Sequence, residues 1–240
     1  MYGITFDVDW APAWAVKDCA DLCRSAGASA TFFVTHECDH LPRLRQDPKI
    51  ELGIHPNFLL GSSHGDTIGG ALQHCIDLVP NAKSMRTHWL HQSTVIYNAV
   101  LRETSIEVDV SLFLPGQQNL AAHDLYLDVG LRPLRRLPYH WEDDIAAVTP
   151  GNTWDAKTAT HGPGLKIFDF HPIHVALNTS SLNNYQELKR HMGNRPLYSA
   201  TRDDIARFSN SGRGARDFLV DLLATGHVFS TVSALAGDHR

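Results

Sequence analysis

The chain has 240 residues, 43% of them hydrophobic and 20% charged, and a formal net charge of −5. Usage of this kind excludes global disorder, and no apolar run reaches the roughly 18–20 residues of a membrane span. No Lys/Arg block is present, so neither a nucleic-acid nor an anionic-membrane footprint is visible.

Residues 2–6 are short and β-rich and lack the basic and long apolar regions of a signal peptide. They read as a strand, and a cytoplasmic location is expected. Residues 12–26 place Trp14, Val16, Cys19, Leu22 and Cys23 at helical spacing, with Gly27 as C-cap. Strands are expected at 30–35 and 50–54, a helix at 68–79 stopped by Pro80, a short strand at 82–86, a helix at 93–102 and a strand at 106–110. From 113 to 160 the chain is rich in Pro, Gly and Asn, with short strands at 124–128 and 135–138. Residues 165–170 form an apolar strand, 185–210 are less regular, 213–224 are helical, and 227–230 are a last strand. The four cysteines, Cys19, Cys23, Cys38 and Cys75, form no C-x-x-C pair and read as reduced thiols.

Strands alternating with helices argue for a mainly parallel sheet. Seven or eight strands in this length fit an α/β fold of the closed, distorted (β/α) barrel type, with about seven strands. An open doubly wound sheet is the alternative. One domain over 1–240 is expected, with an insertion around 180–210. No phosphate-binding glycine motif follows a strand, which disfavours nucleotide binding of that kind.

Reactive groups in such a barrel lie where strands end. Carboxylates and imidazoles concentrate there: Asp7 and Asp9, then His55-Pro56-Asn57, then Arg86-Thr87-His88, then Tyr139-His140-Trp141-Glu142-Asp143-Asp144, then His171-Pro172. Asp7 and Asp9 flank Val8, so in an extended segment they share one side. Two such carboxylates repel unless a cation or Arg lies between them. They read as one metal ligand and one general base, or as loop-capping aspartates. His55 and His171 each precede proline, which holds a residue extended at its strand end. His64, in a loop, is a second imidazole ligand or a surface residue. Arg86 is placed to hold a carboxylate such as Asp7. Asp143 or Asp144 is placed to orient a catalytic imidazole. Trp10, Tyr139 and Trp141 read as sugar-stacking rings or as packing, and Asn57 and His88 as further substrate contacts.

Taken together these segments resemble the polysaccharide deacetylases with NodB homology, and within them the WbmS-like branch. The resemblance rests on Ile4-Thr5-Phe6-Asp7-Val8-Asp9, Ala30-Thr31-Phe32-Phe33-Val34 and Glu51-Leu52-Gly53-Ile54-His55-Pro56-Asn57-Phe58. It rests also on Gly61-Ser62-Ser63-His64-Gly65, the 138–144 segment, Phe170-His171-Pro172 and the 226–235 segment, so it spans nearly the whole chain. It implies a distorted (β/α) barrel and a metal-dependent carbohydrate deacetylase. Asp7 is then the base, Asp9 and His55 metal ligands, Arg86 the residue that positions the base, Asp143 the support of the catalytic histidine, and His171 the acid. The family spaces its metal histidines four apart. Here that position is Leu59, and the third ligand is assigned to His64.

The implied cofactor is a divalent ion, Zn2+ first, with Fe2+, Co2+ or Ni2+ open. The implied substrate is an N-acylated sugar, as a sugar nucleotide or lipid-linked glycan of surface-polysaccharide (O-antigen) biosynthesis. Alternatives on the same scaffold are a deformylase, an allantoinase-like cyclic amidase, or a non-catalytic carbohydrate-binding relative. An iron oxygenase would call for a double-stranded β-helix, which the alternation does not suggest. The sequence sets no oligomeric state.

Overall fold

Runs of apolar, β-branched and aromatic residues form the strands of a computed structural model that describes residues 1–237. The strands are β1 (Tyr2–Asp7), β2 (Ala30–Val34), β3 (Ile50–Ile54), β4 (Ser84–Met85), β5 (Val108–Asp109), β6 (His123–Leu125), β7 (Leu134–Arg136), β8 (Trp141–Glu142), β9 (Lys166–Phe170) and β10 (Phe229–Ser230). The helices are α1 (Ala13–Ser25), α2 (Leu41–Leu44), α3 (Ile68–Leu78), α4 (Thr94–Glu103), α5 (Asp143–Val148), α6 (Ala156–Thr160), α7 (Pro172–Leu177), α8 (Leu182–Met192), α9 (Arg202–Ala206), α10 (Ala215–Leu223) and α11 (Val232–Gly237).

One sheet runs in the order β6-β7-β5-β4-β3-β2-β1-β9-β8, with β10 beside the start of β1. Every pairing is parallel except β6 with β7. The two ends of this path meet, because β7 and β8 are halves of one extended stretch, residues 134–142. Its first half bonds to the β5 side: the Arg135 N–H to Glu107 O, Leu137 to Asp109 O and Tyr139 to Leu112 O, at 2.9–3.0 Å. At His140 the stretch changes neighbour. The His140 N–H donates to Ile167 O at 3.3 Å, and Trp141 and Glu142 pair with Phe168 and Asp169 of β9. The result is a ring of seven lanes, distorted where one segment serves two neighbours, which is the expected (β/α) barrel.

Period-two alternation sorts the strand residues. Ile4 and Phe6, Phe32 and Val34, and Phe168 and Phe170 join the cluster shared with α1, α7 and α10 on the outside. The intervening Thr5, Asp7, Phe33, Ile167 and Asp169 are left for the interior, where Phe33 and Ile167 pack with Val108, Leu137 and Tyr139. The interior is tight. A Cβ on Gly53 would lie 2.7 Å from both the Phe33 ring and Ser84 Oγ. Helix α11 fills the N-terminal mouth with Val232 and Leu235. There Glu51 accepts from the Ser233 backbone N–H at 3.0 Å and from its hydroxyl at 2.6 Å, a carboxylate at a helix start.

Most elements match the expected pattern, and Gly27 after α1 has φ +68, the left-handed geometry of a helix stop. Several segments differ. Strands expected at 82–86 and 106–110 shrink to two residues each, because their lanes pair over only that span. Residues 185–210 are ordered as α8, a 3-10 turn (Leu197–Ser199) and α9. Helix α8 buries only Leu188 and Met192, so its apolar stripe is too thin to register in sequence. The short helices α5, α6 and α7 were not expected, being five or six residues long. All four cysteines are buried and free. Among the described residues no helix is long and apolar enough to cross a membrane.

A side chain at Gly214 would collide with the Asn178 carbonyl, backbone against backbone. Gly214→Ala is therefore expected to destabilise the protein by about 1–3 kcal/mol. Thermal unfolding should show a fall of several degrees in Tm, and an unchanged Tm would refute the close approach.

Candidate metal and catalytic site

Parallel strands bring their C-terminal ends to one rim, and the strand-end residues converge there. Asp7 closes β1. Asp9 and Trp10, two residues on, both adopt left-handed backbone, φ +42 and +53. For tryptophan this is a costly conformation. It is held by the Trp10 N–H donating to Thr35 Oγ1 at 3.1 Å and the Ala11 N–H to Val8 O at 2.8 Å. His55 follows β3 directly, its N–H on Val34 O at 3.0 Å. His171 is extended, φ −106 and ψ 125, with Pro172 opening α7, as the pre-proline restriction requires.

Three donor atoms meet. Asp9 Oδ1 lies 3.1 Å from His55 Nε2 and 3.1 Å from His88 Nδ1, and the two ring nitrogens are 3.3 Å apart. An ion bound at about 2.0–2.2 Å by three such atoms spreads them by roughly 3.0–3.5 Å. The donor chemistry, one carboxylate oxygen and two imidazole nitrogens close together, also fits a divalent ion. His88 reaches this place because its N–H donates to Pro56 O at 3.0 Å, tying the end of β4 to the end of β3. Burial works against the Asp9 carboxylate, but hydrogen bonds from His55 and His88 outweigh it and hold its pKa well below the usual range.

His64 does not join this group. Its Nδ1 accepts the Asn57 N–H at 3.0 Å and its Nε2 bonds Thr35 O at 2.8 Å, so both ring nitrogens are engaged. Burial, with His74 stacked at 4.6 Å, pushes it down to about 4, a neutral imidazole. His88, which was expected to touch substrate, stands in the triangle where His64 was expected.

Asp7 and His171 flank the triangle. Asp7 Oδ2 is 3.6 Å from His55 Nε2. Its Oδ1 accepts from Arg86 Nη1 at 2.9 Å, and Arg86 Nη1 also pairs with Asp169. The guanidinium is fully buried; its Nε bonds Val110 O at 3.1 Å, and it lies 4.2 Å from the centre of the Tyr139 ring. Burial disfavours that charge, but Asp169 and Asp7 outweigh it and raise the Arg86 pKa. On the other side His171 Nε2 is 3.7 Å from Asp9 Oδ2. Asp143 grips His171 twice, accepting its ring Nδ1–H at 2.7 Å and its backbone N–H at 2.9 Å. Burial opposes the imidazolium, yet Asp143 holds His171 well above its ordinary value, while burial pushes Asp143 itself up to about 6.

Above these groups opens a cleft of about 600 Å³. Of the expected substrate contacts, Trp10 and His88 line it, edge-on to each other at 5.3 Å. The others are spent elsewhere. Tyr139 is fully buried, its ring against Arg86 and its hydroxyl donating to Glu142 at 2.8 Å. Trp141 stacks on Phe218 at 4.1 Å among the helices outside the barrel. Asn57 shapes its own loop, its Oδ1 accepting the Leu59 N–H at 3.0 Å. The cleft instead uses Trp89, Asp144, Tyr185 and Lys189. Trp89 is 79% exposed at φ +55, a strained, outward aromatic. Only its place beside the strand-end run 86–88 could have marked it in sequence.

Residues 4–189 match the family described as WbmS-like polysaccharide deacetylase. The fold is similar to that of WbmS from Bordetella bronchiseptica, described as a polysaccharide deacetylase involved in O-antigen biosynthesis, with 34% identity and a TM-score of 0.79 over 94% of this chain and 90% of that one. Peptidoglycan deacetylase PdaC from Bacillus subtilis matches at 14% identity and a TM-score of 0.49, over 98% of this chain and 89% of that one. No curated protein sequence matches the chain closely.

Proposed function

Because the chain belongs to the WbmS-like polysaccharide deacetylase family, we propose that it hydrolyses the N-acetyl, or a related N-acyl, amide of a sugar. The observation that carries this reading is the Asp9–His55–His88 triangle of 3.1–3.3 Å, with Asp7 on one side and His171 on the other. Asp9, His55 and His88 would hold a divalent ion, Zn2+ by ligand type. Once bound, such an ion polarises the acyl carbonyl and makes water easier to deprotonate.

The protein's own residues supply the proton transfers. Arg86 occupies one oxygen of Asp7 and leaves Oδ2 free to take a proton from the attacking water. The carbonyl carbon becomes tetrahedral as the water oxygen adds. His171, protonated through its pairing with Asp143, then gives its Nε2 proton to the departing amine as the C–N bond breaks. The products are the free amino sugar and a carboxylate such as acetate. Trp10 and Trp89 offer aromatic faces for the sugar ring.

The relative from Bordetella bronchiseptica is described as acting in O-antigen biosynthesis, and the substrate proposed for this chain is of that kind, an N-acylated sugar nucleotide or lipid-linked glycan. Acetate release from a panel of N-acetylated amino sugars, with and without chelator, tests the reading. Release that stops with chelator and returns with Zn2+ supports it. Release indifferent to chelator refutes the metal, and none from any sugar refutes the activity.

A further inference from the structure

The two walls of the cleft differ in charge. One bears Asp9 and Asp144 beside His171. The other is α8 and the turn after it, bearing Tyr185, Lys189, Arg195 and Tyr198. Arg195 is pinned, both Nη atoms on Asp204 at 3.2 and 3.0 Å. Lys189 is different. Among the described residues its ammonium has no carboxylate partner, and its one recorded contact is the face of the Tyr185 ring at 5.3 Å.

Ring contacts connect this cation to the reacting end. His171 meets His174 at 5.4 Å, and His174 meets Tyr185 at 4.8 Å, ring centre to ring centre. Lys189 therefore stands within a sugar diphosphate's reach of His171. His174 carries no charge in between, since burial pushes it down to about 3. Such a cleft fits a substrate that is neutral at the amide and anionic farther out. A hexosamine with a phosphate or diphosphate on the carbon next to the acylated one has this layout.

We propose that Lys189 binds the anomeric phosphate or diphosphate of an activated N-acyl sugar, and that the substrate is this monomeric donor. The inference rests on the deacetylase reading. It deepens that reading by fixing which part of the substrate α8 recognises. A nucleoside diphosphate and a polyprenyl diphosphate would present the same anion.

The test compares kcat/KM of the metal-loaded protein for N-acetylhexosamines free, linked to UDP, and linked to farnesyl diphosphate. At least one diphosphate-linked form should exceed the free sugar tenfold or more, and which one identifies the carrier. Lys189→Gln should lower the linked-to-free ratio about tenfold through KM, the effect of one charge-assisted contact, and Lys189→Arg should restore it. Among the described residues the Lys189 ammonium makes no hydrogen bond or ion pair, so these variants should fold. Lys157→Gln, on α6, should leave the ratio unchanged. Equal kcat/KM for free and linked sugars, or a ratio unmoved by Lys189→Gln, overturns the inference while the deacetylase reading stands. No acetate from any of the three overturns both.

Discussion

His88→Ala is expected to abolish binding of the proposed divalent ion and to cut turnover on the order of 10³-fold, whereas His64→Ala keeps the proposed ion. Polarisation by a bound ion is worth several kcal/mol, and each 1.36 kcal/mol is a factor of ten. His88 supplies one corner of the donor triangle, 3.1 Å from Asp9 and 3.3 Å from His55. His64 spends both nitrogens on Thr35 and Asn57, so its loss should appear as stability. Leaving those two buried backbone partners unsatisfied costs about 1–3 kcal/mol each. Elemental analysis of purified variants, with acetate release and Tm, separates the two. An ion retained by His88→Ala and lost by His64→Ala would return the third ligand to His64.

The second large effect concerns the proposed acid. His171→Ala should lower turnover about 10²–10⁴-fold without unfolding the barrel. Asp143→Asn should do something more telling, moving the alkaline limb of the kcat profile to lower pH. Only the imidazolium can donate, and Asp143 outweighs burial in keeping that form present above the ordinary histidine value near 6.5. Activity should persist into alkaline solution and fall as pH rises through the raised value. With asparagine the carboxylate charge is gone and burial acts unopposed, so the proton leaves earlier. An alkaline limb that stays in place would show that His171 is not the group titrating there.

The rim of the barrel was readable because its signals are local. Alternation puts Thr5 and Asp7 inside and Ile4 and Phe6 outside, and the proline after His55 and after His171 holds each imidazole at its strand end. The choice between His64 and His88 was not readable. It depends on a contact between chain segments more than thirty residues apart, His88 on Pro56, and on the left-handed turn at Trp89 and Leu90. The aromatic residues failed for a related reason. Nothing near Trp141 in sequence announces that Phe218, far along the chain, will cover its face. The substrate-facing wall at α8 was hidden because two buried residues in eleven leave a helix that reads as polar irregular chain.

The extended stretch that closes the barrel carries Tyr139, against the guanidinium that steadies the proposed base, and Asp143, four residues later, which steadies the proposed acid. The supports of the two proposed proton transfers therefore hang from one length of backbone, with His140 where its hydrogen bonding changes sides. Slackening that suspension would loosen both supports at once, so a lesion at Pro138, remote from any ligand, is expected to lower turnover through the proposed base and the proposed acid alike.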